Sequence, residues 1–69
     1  MLALSNLRKN HNYTLTNDGI TTTFVVTEVL GTENYKAKNL ETLDIFETRE
    51  LTQYGISKDY NLEELSFNL

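Results

Sequence analysis

The stretch Tyr13-Thr14-Leu15-Thr16-Asn17-Asp18-Gly19-Ile20-Thr21-Thr22-Thr23-Phe24-Val25-Val26-Thr27-Glu28-Val29-Leu30 carries the strongest local signal in the chain. Asp18-Gly19 accepts the positive φ angles of a tight hairpin turn, and β-prone residues flank it on both sides. A hairpin centred on Asp18-Gly19 is therefore expected. From Ile20 to Leu30 nearly every residue is β-branched or aromatic, the composition of a long, half-buried strand that Gly31 would end. Its even positions Ile20, Thr22, Phe24, Val26 and Leu30 form an apolar face interrupted by Glu28, which places Phe24 and Val26 in the core.

Outward from this hairpin the signals weaken. A second turn at Gly31-Thr32-Glu33-Asn34 leads into Tyr35-Lys36-Ala37-Lys38-Asn39-Leu40, where Tyr35 and Ala37 share one face and the lysines the other. That alternation predicts a strand with one wet side. Residues 41–55 admit two readings. As a helix, Leu40, Leu43, Phe46, Leu51 and Tyr54 fall on one arc closed by Gly55, but Glu47 and Glu50 intrude and Ile45 falls outside. As a strand, Leu43 to Thr48 returns after a Glu41-Thr42 turn, followed by one helical turn at Leu51–Tyr54. The strand reading is favoured because Thr42, Ile45, Phe46 and Thr48 prefer extended backbone. The tail, Tyr60 to Phe67, reads equally as a closing strand or a short helix.

The chain is 69 residues long, with no proline, no cysteine and no tryptophan. It is read as one domain, a lead-in over 1–11 and a folded body over 12–67. Leu, Ile, Val and Phe make up 20 of the 69 residues, enough apolar content to fold. A mainly β fold is expected, with an α+β sheet carrying a helix at about 41–54 as the alternative. Hairpin, second hairpin, helical turn and last strand in this order resemble an SH3-like small barrel. The resemblance covers residues 12–67 and implies a bent five-stranded sheet with few free edges. The acidic, tyrosine-rich first loop and paired tryptophans of true SH3 domains are missing, which argues against polyproline binding. Glu50-Leu51-Thr52-Gln53-Tyr54-Gly55 with Asp59-Tyr60-Asn61-Leu62-Glu63-Glu64-Leu65 resembles the ending of small uncharacterised bacterial proteins and implies no activity.

Composition excludes several chemistries. Without cysteine there is no disulfide, no thiolate zinc site and no thiol nucleophile. His11 is the only histidine; set among Arg8, Lys9, Asn10 and Asn12 it reads as a solvated loop residue without an orienting carboxylate. Ser5, Ser57 and Ser66 have no Gly-x-Ser-x-Gly elbow around them. The carboxylate pairs Glu63-Glu64 and Glu47/Glu50 read as acidic surface, since neighbouring strand positions point to opposite faces. Gly19, Gly31 and Gly55 are too far apart for a phosphate loop. No enzyme, cofactor or metal is expected. The N-terminus has no basic region before an apolar one, and no apolar run approaches the ~20 residues that span a bilayer. No membrane association is expected, the cytoplasm is the expected location, and the sequon at Asn12-Tyr13-Thr14 reads as coincidence.

Two binding readings follow. Tyr13, Tyr35, Tyr54 and Tyr60 form a candidate interaction surface, because a tyrosine ring buries area while its hydroxyl stays wet; in a small barrel the same rings could instead plug its ends. The partner would be another protein or a second copy of the chain. The alternative is a nucleic-acid patch built from Lys36 and Lys38 with Arg8 and Lys9 beside the tyrosines. A net charge of −4 weighs against it, since phosphate binding needs clustered cations.

Overall fold

Asn17 pairs with Ile20, leaving Asp18-Gly19 as a two-residue turn. Both turn residues have positive φ, 53° and 78°, as a primed turn requires. In the computed structural model, which describes residues 2–66, this turn joins β1 (Asn12–Asn17) to β2 (Ile20–Gly31). β3 (Asn34–Asn39), β4 (Ile45–Glu47) and β5 (Asn61–Glu64) complete one antiparallel sheet of order β4-β3-β2-β1-β5. The first four strands form a meander, and the last returns to pair with the first. Within the tail, Asn61–Glu64 forms the closing strand, whereas Tyr60, Leu65 and Ser66 lie outside it; Phe67 is outside the described residues. No helix among the described residues is long and apolar enough to cross a membrane.

The core lies on one face of this sheet: Tyr13, Leu15, Phe24, Val26, Ala37 and Leu62 are fully buried or nearly so. Among the described residues no second sheet or α-helix covers that face, so the sheet must bend around it. The Cα trace measures 29 × 23 × 22 Å, where a flat sheet and one packed layer would be only ~10 Å deep. Phe24 sits centrally, with ring centroids 6.0 Å from Tyr13 and 5.8 Å, edge-on, from Phe46.

The expected alternation of β2 holds at Phe24 and Val26 and then fails. Val26 pairs with Ala37 but Glu28 pairs with Lys36, so Thr27 is an extra residue in the ladder. An extra residue reverses which side chains face inward. It carries Glu28 to the outer face beside Lys36, which explains how a glutamate fits the even positions. A second shift follows between Val29 and Gly31, and Leu30 is exposed rather than buried. Ile20, at the other end, is also exposed, because it lies beyond the last core residue. Gly31 belongs to β2, and Glu33 takes the positive φ of the turn.

The helix over 41–54 is not formed. Asn39 caps the connection instead, its Oδ1 accepting the Glu41 and Thr42 N–H groups at 2.8 and 3.1 Å, an Asx turn that directs the chain back as a strand. Leu43, expected to begin that strand, has φ 68° in the connection. The helical turn comes earlier than expected, as a 3-10 turn at Thr48–Leu51. Glu47 and Glu50 form its capping box, with the Glu47 N–H donating to Glu50 Oε2 at 3.0 Å, which accounts for two glutamates in an otherwise apolar arc. Thr48 is buried and accepts the Tyr35 N–H at 3.0 Å.

The lead-in is more than a lead-in. It contains a 3-10 turn at Leu4–Asn6, buries Leu7 in the core, and packs Leu2 and Leu4 against it. The Leu2 N–H donates to the Leu62 carbonyl at 3.2 Å, covering part of the free edge of β5.

Candidate functional site

The four tyrosines divide into two pairs. Tyr13 and Tyr35 are 0% and 2% exposed, because their strand positions face the inside of the sheet. Their hydroxyls accept consecutive lead-in amides, Arg8 N–H at 2.8 Å and Leu7 N–H at 3.2 Å. They fill the core and line no surface, so of the four expected tyrosines only Tyr54 and, in part, Tyr60 are exposed. Burial raises the Tyr13 pKa above its ordinary value against the lowering effect of the Arg8 N–H, and the Glu64 charge adds to the rise. Tyr60 is half-buried against the core, and its pKa is raised by burial and by the Glu33 charge.

Tyr54 is 95% exposed. It precedes Gly55, whose φ of 102° lets the chain turn sharply into Ile56. This segment is tied to the β1–β2 turn by Asn17, whose Nδ2 donates to the Leu51 and Gly55 carbonyls at 2.9 and 3.0 Å. Its Oδ1 accepts the Ser57 N–H at 2.9 Å. Asp59 completes the joint, accepting the Asp18 and Gly19 N–H groups at 2.9 and 2.7 Å and the Ser57 hydroxyl. The Ser57 bond and the Gly19 N–H hold the Asp59 carboxyl below the usual carboxylate range.

Between the turn and the tied segment lies a groove of about 480 Å³, floored by Leu15 and Leu51 and flanked by Ile20, Tyr54 and Ile56. Ile20 is 68% and Ile56 65% exposed, so three large apolar side chains stand in water around one depression. Single exposed hydrophobic residues are ordinary, whereas a group of them beside a concavity calls for an explanation. Asp18 and Glu50 also line the groove, and no lysine or arginine does.

The lysine patch has a different setting. Lys36 lies directly opposite Glu28 on β2 and Glu47 on β4, so its charge is flanked by two carboxylates. Lys38 lies opposite Val25 and Ile45. Tyr13 and Tyr35, the rings expected to stack bases beside these lysines, are in the core. His11 is not without a carboxylate: its Nδ1 lies 3.3 Å from Glu64 Oε2 in a partly exposed pair. Glu63 accepts the Asn61 side-chain amide at 2.8 Å. Among the described residues, no group of three or more His, Asp or Glu side chains is placed to hold a metal ion.

The sequence pointed to Tyr54 but not to Ile20, Ile56 or Asn17. Ile20 reads as the first core residue of its strand, and Asn17 as an ordinary turn residue. The one available signal for Ile56 was its position just after Gly55, outside any apolar periodicity. No protein-family model matches the chain, and no curated protein or solved structure matches it either.

Proposed function

We propose that this chain is a non-enzymatic interaction module, an SH3-like small barrel that binds another protein through the face around Tyr54. The observation that carries this reading is the clustering of Ile20, Tyr54 and Ile56, all exposed, around one groove. A chain this short cannot bury every large side chain, and Val29, Leu30, Leu43 and Ile45 are exposed elsewhere, but Ile20, Tyr54 and Ile56 surround one groove. The face is also built rigidly, since Asn17 and Asp59 lock its two sides together, and a preformed surface loses less entropy on binding. The barrel part of the proposal is supported by the strand order, with the last strand beside the first and a 3-10 turn between β4 and β5.

The test is recovery of partners by the tagged protein from its native host, with and without nuclease, alongside a Tyr54→Ala variant. Tyr54 is 95% exposed, so its removal leaves the fold intact. The same protein bands should appear with or without nuclease and be lost with Tyr54→Ala. Recovery that nuclease abolishes, or that Tyr54→Ala leaves unchanged, would overturn the proposal.

A further inference from the structure

We infer that the partner presents to this groove a short segment carrying aliphatic side chains beside a lysine or arginine. This rests on the reading of the Tyr54 face as a protein-binding surface, and the charges around the groove choose the occupant. Asp18 and Glu50 line it without a cation, and among the described residues neither makes an ion pair. A second copy of the chain is disfavoured, because a symmetric contact would set each carboxylate against its own kind between molecules of net charge −4; like-charge juxtaposition across an interface costs several kcal/mol. Proline-rich segments are disfavoured for a different reason. They dock between several aromatic rings, whereas among the described residues Tyr54 is the sole ring here and Leu15, Ile20, Leu51 and Ile56 supply the rest of the apolar lining. The volume, about 480 Å³, suits a few side chains. A segment alternating aliphatic and basic residues places the first on the groove floor and the second against Asp18 and Glu50.

Three synthetic peptides of equal length, one alternating Leu and Lys, one Leu and Glu, one Pro and Arg, would be titrated into the ¹⁵N-labelled chain. The Leu-Lys peptide should bind most tightly and shift the amides of Ile20, Tyr54 and Ile56. Its affinity should fall several-fold in Asp18→Asn with Glu50→Gln, which keep the turn conformation and the capping bond, and should be lost in Tyr54→Ala. Preference for either other peptide, binding away from the groove, or no binding by any peptide would overturn the inference. If it falls while Tyr54→Ala still abolishes recovery of the host partner, the binding face stands and only its charge preference is wrong. If Tyr54→Ala leaves that recovery intact, the face falls too.

Discussion

Tyr13 and Tyr35 each join a ring in the core to a hydroxyl that accepts a lead-in amide. Tyr13→Phe keeps the ring and strands the Arg8 N–H; it should cost about 1–2 kcal/mol and speed hydrogen exchange at Arg8, which amide exchange will read. The pH dependence has a definite sign. The folded pKa of Tyr13 is raised, so its contribution is complete below the ordinary tyrosine value near 10 and is lost as pH rises through the folded value. Denaturant melts should therefore weaken above about pH 10, less so in Tyr13→Phe. Phe24 is the other decisive residue, because both Tyr13 and Phe46 rest on it. Phe24→Ala should cost ~3–5 kcal/mol, most of what a domain this size has; a variant with an unchanged melting midpoint would contradict its central place. Phe24 was legible because it stands on an unbroken period-two stretch. The face that Tyr35 shares with Ala37 was legible from the alternation, but whether that side was core or contact surface depended on how far the sheet bends, which no single residue encodes.

Elements fared differently according to whether local chemistry or distant contacts define them. The β1–β2 hairpin was plain because Asp-Gly satisfies its turn locally. Gly19 has φ 78° and open space around it, so Gly19→Val meets no clash but must adopt a left-handed backbone. A loss of more than about 1 kcal/mol is expected, measured by chemical denaturation. The bulge at Thr27 was not legible, since Val-Thr-Glu reads as ordinary strand and only pairing with β3 reveals the extra residue. The 3-10 turn was misplaced for a related reason: the buried Thr48 contact to Tyr35, not helix periodicity, ends β4. The lead-in escaped notice because Leu2, Leu4 and Leu7 gain their partners only from the finished sheet. The joint between the hairpin turn and residues 55–59 also has a pH signature. Asp59 has a lowered folded pKa, so its contribution is present above the ordinary aspartate value near 4 and lost as pH falls through the lower folded one. Stability should therefore decline as the pH falls below about 4, and Asp59→Ala should flatten that part of the stability curve.

For the whole molecule, the fold class was readable and the surface was not. Core positions follow from pattern, whereas a groove arises where two loops happen to meet, here through Asn17. A single sheet bent around one apolar face, with its lead-in sealed by two tyrosines, leaves Ile20, Tyr54 and Ile56 among the exposed apolar side chains, and these three surround the proposed contact groove. Lys36 stays flanked by Glu28 and Glu47. Binding that runs through this face responds differently to salt from binding through phosphates. Apolar contact with one or two ion pairs weakens only a few-fold, because screening touches the rim charges alone. Release of counterions from a nucleic acid lowers affinity by orders of magnitude over the same range. The most direct measurement is the affinity of a recovered partner from low to moderate salt for the wild type, Tyr54→Ala and Lys36→Glu. The account predicts a few-fold salt effect, loss of about tenfold or more with Tyr54→Ala, and near-wild-type binding with Lys36→Glu. A drop of orders of magnitude with salt, abolished binding in Lys36→Glu and no effect of Tyr54→Ala would contradict it.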